Sequence, residues 1–173
     1  MISQKMEAAI NKQINAETYS AYLYLSMSAY YESIDLAGFA NWMRVQAQEE
    51  TVHAMKFYTF LIERGGRVVL KAIDGPPTNW SSPGEPFEDA YKHEQKVTAM
   101  INDLVSLALE ERDFAANSFL NWFVDEQVEE EKNTSSVVKQ LKLAGDGQGL
   151  FLIDRELATR VFIPPPPAGA QQA

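Results

Sequence analysis

The sequence contains no cysteine among its 173 residues. Disulfide bonds, thiolate zinc sites and cysteine-held iron–sulfur clusters are therefore excluded. Positive charge is also scarce, because 15 Lys and Arg residues face 24 Asp and Glu residues and leave a formal net charge of -9. Nucleic acid requires a basic surface, so this balance argues against a nucleic-acid partner and favours a protein that handles cations.

Long apolar runs are missing as well. No stretch is long enough to cross a membrane, and residues 1–7 lack the basic segment and apolar run of a signal peptide. We therefore expect a cytoplasmic protein with no membrane partner. The length suffices for one domain with a substantial core, which we assign to residues 1–160. The proline-rich remainder, 161–173, offers little that can pack and is expected to be a flexible tail.

Glycine and proline are rare over five stretches in which apolar residues recur every three or four positions. This spacing is typical of one face of a helix. The stretches predict helices from Ser3 to about Tyr31, from a turn at 35–38 to Arg64, from near Glu85 to about residue 110, from beyond residue 113 to a break at 145–149, and from Leu150 to Leu157.

The lengths of the connections indicate the topology. Short links make helices one and two antiparallel neighbours, and helices three and four likewise. Residues 65–83 are too rich in glycine and proline for a helix and are expected to cross the length of the molecule, so that helix three runs parallel to helix two. The predicted fold is all-α: an antiparallel four-helix bundle with one long crossover between helices two and three, plus a short C-terminal fifth helix.

Acidic residues lie on the apolar stripe of each of the four long helices. The polar residues singled out on these stripes are Glu17, Glu50, His53, Glu94, Gln127 and Glu130. Buried acids repel one another, and each costs on the order of several kcal/mol to desolvate. A cation between them removes both penalties, and one His with several carboxylates suits a pair of iron or manganese ions in a helix bundle.

Taken singly, each of these residues has an ordinary structural explanation. A lone Glu on an apolar face usually extends its carboxylate to solvent, and a lone His there is usually a hydrogen-bonded core residue. The combination decides the interpretation, because all four helices contribute at positions that the antiparallel order can bring to one level. Glu50 is well placed to bridge two cations, and the weaker ligand Gln127 predicts that the two metal positions differ.

Three aromatic or imidazole side chains near the stripes need separate interpretations. Tyr24 lies two turns from Glu17 on the same face. It is either a core aromatic, or a hydrogen-bond partner for a ligand carboxylate that also donates an electron. We expect Trp122 to pack at the edge of its stripe and His93 to lie at the surface.

Further acids flank the stripes at Glu49, Glu126 and Glu129. The charged run 129–132 is typical of an exposed helix face. Spacing alone therefore favours solvated side chains for all three acids, although together they could hold a third, more exposed cation beside the pair.

The segments around these positions are QINAE at 13–17, YLYL at 22–25, QEETVHA at 48–54, ERGG at 63–66, HE at 93–94 and NWFVDEQVEEE at 121–131. Together they resemble the non-haem ferritins of bacteria and archaea. The resemblance covers about the whole chain except the proline tail. It implies a ferritin-like fold and a ferroxidase centre.

The resemblance also implies which residues bind iron. The first iron site would consist of Glu17, Glu50 and His53, and the second of Glu50, Glu94 and Glu130 with Gln127 beside it. A third iron site would involve Glu49, Glu126, Glu129 and Glu130. Tyr24 matches the tyrosine that stands next to the centre in this family.

The implied chemistry is oxidation of two Fe(II) ions to Fe(III) by O2 or H2O2, followed by deposition of ferric mineral inside a hollow shell. Family members form shells of 24 subunits, so we expect a homo-oligomeric cage. Haem is not expected, because Thr51 follows Glu50 in place of the haem-ligating methionine of bacterioferritins.

Two other functions stay open on the sequence. One is a different di-metal carboxylate enzyme, an oxygenase or a manganese catalase. An oxygenase needs a cavity for an organic substrate, and the large stripe residues Met43, Phe57 and Phe123 would tend to fill it. The other is a metal-free structural cage, which would require missing ligands.

Overall fold

The computed structural model describes residues 1–145 and 147–164, and the regular secondary structure of these residues is entirely helical. The helices of this part of the chain are α1 (Gln4–Ser33), α2 (Ala37–Glu63), α3 (Glu85–Glu110), α4 (Phe114–Ala144) and α5 (Gln148–Leu157). The predicted helices are confirmed. Over the same residues, no helix has the length and apolar character of a membrane span. Of the predicted tail, residues 165–173 lie outside the described part of the chain.

Two tight turns join the antiparallel pairs α1–α2 and α3–α4. Each turn contains one residue in the left-handed region, Asp35 with φ 59° and Arg112 with φ 55°. Asp113 then begins α4, because its carboxylate accepts the Ala116 N–H at 3.0 Å. The same carboxylate receives both guanidinium nitrogens of Arg64, at 2.9 and 3.0 Å. This bidentate pair ties the end of α2 to the start of α4.

The crossover between α2 and α3 runs along α1. Near the start of α1, the Asn11 amide donates to the Arg67 carbonyl at 2.9 Å and accepts the Val69 N–H at 2.7 Å. Near the end of α1, the Tyr31 hydroxyl donates to the Pro83 carbonyl at 2.7 Å. The segment therefore crosses the length of the bundle, as predicted, and α3 can run parallel to α2.

The apolar core is divided into two clusters at different levels of the bundle. Members of the first include Met27, Tyr31, Phe39, Met43, Phe87 and Val138. Members of the second include Ile10, Phe57, Leu61, Ile101, Leu120 and Phe123. Along each long helix, the buried polar residues singled out in the sequence lie between the first cluster and the second. All four helices consequently place their buried acids in one layer between two apolar ones.

Helix α5 packs against α2 and α4. The Asp154 carboxylate accepts the N–H groups of Gly38 at 2.7 Å and Phe39 at 3.1 Å, which lie in the first turn of α2 and have no acceptor within that helix. α5 begins at Gln148 rather than at the predicted Leu150. Gly149 lies within this helix, and a Cβ there would lie 2.6 Å from the Ala144 carbonyl oxygen, so the position requires glycine.

Replacing Gly38 by Ala should loosen the contact between α5 and α2. The new Cβ would lie 1.7 Å from the Asp154 carbonyl oxygen, so backbone must move. We expect the unfolding free energy to fall by about 1–3 kcal/mol, the usual cost of overpacking. Gly84→Ala is the control, since its Cβ would meet open space. Chemical unfolding followed by circular dichroism compares the two, and equal stabilities would contradict this role of Gly38.

Candidate metal centre

One half of the polar layer is formed by α1 and α2. Glu17, Glu50 and His53 each offer a ligand atom, and these three atoms lie within 4.8 Å of one another. Glu50 and His53 are three residues apart and therefore share a helix face; His53 Nδ1 lies 3.3 Å from Glu50 Oε2. Each of the three residues is at most 3% exposed. The arrangement can bind a cation that is shielded from water.

The other half is formed by α3 and α4. Gln127 Nε2 donates to Glu94 Oε2 at 3.2 Å and to Thr98 Oγ1 at 3.3 Å. The Tyr24 hydroxyl of α1 donates to Glu94 Oε1. Glu130 is buried beside them. We use the name carboxylate centre for the six residues Glu17, Glu50, His53, Glu94, Gln127 and Glu130.

Gln46 joins the two halves, although the sequence did not single it out. Its Nε2 donates to Glu50 Oε1 at 3.1 Å and to Glu130 Oε2 at 2.7 Å. The two oxygens of Glu50 therefore have different neighbours: Oε2 lies beside His53, and Oε1 accepts from Gln46, which also reaches Glu130. The one available signal was the position of Gln46, one turn before Glu50 on the same stripe.

Burial controls the charge of the four carboxyl groups. Burial and the charge of Glu50 raise the pKa of Glu17 and the pKa of Glu94 to about 8. Burial and the charges of Glu94 and Glu50 raise the pKa of Glu130 well above its ordinary value. Burial acts the same way on Glu50, but the hydrogen bond and charge of His53 outweigh it and keep the pKa of Glu50 below its ordinary value.

His53 is the basic member of the centre. Burial alone would lower the pKa of His53, but the neighbouring carboxylates of Glu126 and Glu50 raise that pKa well above the ordinary value. At neutral pH the layer thus contains a Glu50–His53 ion pair and protonated carboxyl groups. Bound protons compensate the acids here, and a metal ion could take the place of those protons.

Two oxygen atoms of this layer have no hydrogen-bond partner within the described part of the chain. They are Glu17 Oε2 and Gln46 Oε1. A buried oxygen left without a partner costs about 1–3 kcal/mol, which coordination to a metal would remove. Carboxylate oxygens with one imidazole nitrogen and no sulfur are donors that suit iron or manganese. The residues present therefore fit a metal pair.

The three flanking acids differ in their surroundings. Glu126 Oε1 lies 3.6 Å from His53 Nε2, and Glu126 and Glu130 form a second group with His53 whose ligand atoms lie within 4.8 Å of one another. Glu49 is half-buried and pairs with Arg160 at 2.5 Å. Glu129 is exposed. The expectation of a solvated side chain is therefore correct for Glu129 and wrong for Glu49 and Glu126, because spacing does not show distant partners.

The expectation that His93 lies at the surface is also wrong. Its ring is half-buried, with Nε2 2.7 Å from Ser20 Oγ and an edge contact to Tyr24 at 6.3 Å between ring centroids. Burial lowers the pKa of His93. Trp122 packs as predicted, with its ring 5.5 Å from that of His53 and the Lys56 ammonium 3.7 Å from its centroid.

Known proteins resemble this chain over nearly its whole length. A family model described as a ferritin-like domain matches residues 7–144. A bacterial non-heme ferritin of Bacteroides fragilis is 46% identical over 160 residues, covering 92% of this chain and 100% of the relative. One of Staphylococcus aureus is 38% identical over 163 residues, covering 94% and 98%. A novel open pore ferritin of the archaeon Archaeoglobus fulgidus superposes with a TM-score of 0.92 at 54% identity, covering 93% and 100%.

The stability of the metal-free protein should fall as pH rises from about 5 to about 8. Glu17 and Glu94 keep their protons to about pH 8 in the folded chain but lose them near their ordinary pKa of 4.5 when unfolded. The folded state binds more protons across this range, so the unfolding free energy decreases with pH. His53, whose pKa is raised, acts in the same direction, because its contribution is lost as pH rises through its folded pKa.

Chemical unfolding of the metal-free protein at several pH values measures this slope. The double variant Glu17→Gln and Glu94→Gln should have a flatter profile, because neither amide titrates in this range. Added Zn(II) should also flatten the wild-type profile, since the metal replaces the protons. A wild-type stability that is constant or rises over this range would refute the assigned charge states.

Proposed function

The chain belongs to the ferritin family, and on that premise we propose that the carboxylate centre is where it oxidises iron. The protein is a ferritin similar to the bacterial non-heme ferritins, an iron-storage protein that oxidises Fe(II) to Fe(III). The observation that carries the proposal is a layer of buried acids, compensated by protons, in which two oxygen atoms have no partner among the described residues. Iron ions entering this layer would displace the protons and satisfy the oxygens.

Two adjacent iron positions are proposed. Glu17, Glu50 and His53 would hold the first Fe(II), and Glu50, Glu94 and Glu130 the second, with Gln127 beside it. One Glu50 oxygen lies beside His53 and the other is linked through Gln46 to Glu130, and this supports a bridging role for Glu50. The first position has an imidazole and the second only an amide, so we expect the two irons to bind with different affinities.

His53 would bind iron through Nδ1, the nitrogen that faces Glu50. Glu126 then lies next to the other nitrogen, Nε2, at 3.6 Å. A carboxylate in that position keeps the remaining proton on Nε2 and orients the ring for metal binding. Glu126 is therefore proposed to help the first iron position whether or not it also contacts a third ion.

The number of iron positions matches the chemistry. Two Fe(II) ions give up two electrons as they become Fe(III), and these electrons with two protons reduce either O2 to H2O2 or H2O2 to two water molecules. The carboxyl groups of Glu17, Glu94 and Glu130 would release protons when iron binds. Bundle packing above and below the layer excludes bulk water from it.

A third iron position is proposed at the edge of the centre, with Glu126 and Glu130 as its main ligands. The closeness of their oxygens to His53 supports it. Glu129, which precedes Glu130 in the chain, is exposed to solvent. Glu49 is already paired with Arg160. We therefore expect a third ion to bind more weakly than the first two.

Oxidised iron would leave for a mineral inside a homo-oligomeric cage, as the resemblance to ferritins implies. We propose 24 subunits. Exposed apolar side chains on α1 and the crossover, Tyr22, Leu25 and Leu70, support burial against other copies. Absence of haem and a cytoplasmic location remain predictions from the sequence.

The packing around the centre bears on the di-metal oxygenase considered from the sequence. Met43, Phe57 and Phe123 are at most 1% exposed, and the rings of Phe57 and Phe123 stack with centroids 4.1 Å apart. Large side chains thus fill the bundle on either side of the layer, where an organic substrate would need space. This favours iron and a small oxidant as substrates.

Iron oxidation in the double variant Glu50→Gln and Glu130→Gln tests the proposed site. Both amides keep the shape of the side chains but remove the ionised ligands. We expect initial oxidation of about two Fe(II) per subunit to slow by more than roughly 100-fold, because loss of even an outer partner of a metal ligand costs about 10- to 100-fold. Fe(III) absorbance after aerobic addition of Fe(II) to the metal-free protein measures the rate.

The matched control is the double variant Glu63→Gln and Asp103→Asn, which removes two exposed charges from α2 and α3. It should oxidise iron like the wild type. Equal, slow rates in all three proteins would contradict a catalytic centre and leave a passive shell or a different metal.

Tyr24→Phe should weaken metal binding at the second position. The Tyr24 hydrogen bond lowers the pKa of Glu94, opposing burial, so its loss makes Glu94 harder to deprotonate. We expect Zn(II) affinity at neutral pH to fall by about 10-fold. Tyr31→Phe, which loses one hydrogen bond to Pro83, is the control.

Calorimetric titration of both tyrosine variants measures the effect, and an unchanged affinity in Tyr24→Phe would contradict it. The oxidation rate at saturating Fe(II) then separates the two roles of Tyr24. A hydrogen-bonding role alone leaves that rate near the wild-type value, whereas electron donation by Tyr24 would make the variant slower.

A further inference from the structure

The chain that follows α5 returns to α2. Asn41, in the second turn of α2, donates its side-chain amide to the Leu157 carbonyl at 3.3 Å and to the Arg160 carbonyl at 2.9 Å. These bonds fix the backbone at the end of α5. They place Arg160 beside α2, close to the residues that precede Glu50.

The Arg160 side chain is held on three sides. Its Nη2 lies 2.5 Å from Glu49 Oε2, its guanidinium carbon lies 4.2 Å from the centroid of the Trp42 ring, and its Nη1 lies 3.5 Å from the Trp42 carbonyl oxygen. The side chains of Arg160 and Glu49 are 20% and 26% exposed. Partial desolvation and stacking on Trp make this pair more persistent than an ion pair between fully exposed side chains.

Glu49 lies in an acidic neighbourhood. It precedes Glu50 in the chain, and the charges of Glu50, Glu126 and His53 all act on it. A cation near Glu49 is therefore electrostatically favourable, and the guanidinium of Arg160 provides one from the protein itself. Glu49 is a proposed ligand of the third ion, but in this structure it is already paired with Arg160.

We propose that Arg160 competes with the third metal ion for Glu49. The guanidinium neutralises Glu49 until a metal arrives, and the metal gains Glu49 as a ligand only when Arg160 moves away. A divalent ion and a guanidinium a few ångströms apart also repel each other, so each weakens the binding of the other. Arg160 is a positioning residue, and the inference rests on the proposed function only in placing a third ion beside Glu126.

Zn(II) titration of the metal-free, assembled protein tests this competition without iron oxidation. The variant Arg160→Gln removes the competing charge, and we expect the weakest Glu49-dependent binding step to tighten by about 10-fold, a typical effect of a residue next to a metal ligand. Arg155→Gln is the matched control, because it removes the same charge from an exposed position on α5. It should bind Zn(II) like the wild type.

Glu49→Gln identifies the step in question, since the tightening must vanish when Glu49 is replaced in the Arg160→Gln background. Arg160→Lys provides a second test should the Gln variant fail to assemble. Lys keeps the charge but loses the planar group that stacks on Trp42, so Zn(II) affinity should rise severalfold. Size-exclusion chromatography and circular dichroism verify assembly.

An Arg160→Gln affinity that equals the wild-type value, or is weaker, overturns the proposal, and so does a gain that persists without Glu49. Failure of the proposed function is a different result. The two tight Zn(II) steps that depend on Glu50 and Glu130 would then be absent, whereas the response of the Glu49-dependent step to Arg160 could still be measured.

Discussion

The bundle depends on one constraint, the compensation of acids buried in a single layer. Glu17, Glu50, Glu94 and Glu130 are each at most 3% exposed, and they come from four different helices. Without compensation, the negative charges of these four carboxylates would repel one another and disrupt the apolar core. Protons on three of the carboxyl groups, together with the Glu50–His53 ion pair, compensate the layer in the metal-free fold.

The same constraint links stability to function. Two apolar clusters stabilise the bundle, and the layer between them contributes unpartnered oxygens that a fully apolar core would not contain. On the proposed function, iron binding to the layer would return part of this loss of stability. Gln46 limits the loss by donating to Glu50 and Glu130 at once.

Most of the fold followed from the sequence, because long amphipathic stripes and clear glycine and proline breaks specify helices locally. The four acids of the carboxylate centre could also be identified from the sequence, because each interrupts the apolar stripe of its helix. Contacts between distant residues did not follow. Gln46 looks like any polar residue on a stripe, and Glu49 and Arg160 are 111 positions apart. Gly149 was assigned to the break because it ends the glycine-rich run 145–149, and the sequence does not show its close packing on Ala144.

Two metal ions are proposed to replace the protons of the buried layer. Anomalous diffraction from crystals of the protein soaked in Fe(II) without oxygen would locate them. We expect two strong peaks in each subunit, about 3.5–4 Å apart as in other two-metal sites, with Glu50 between them. No peak within the layer, or one peak only at the exposed acids of α4, would contradict this proposal.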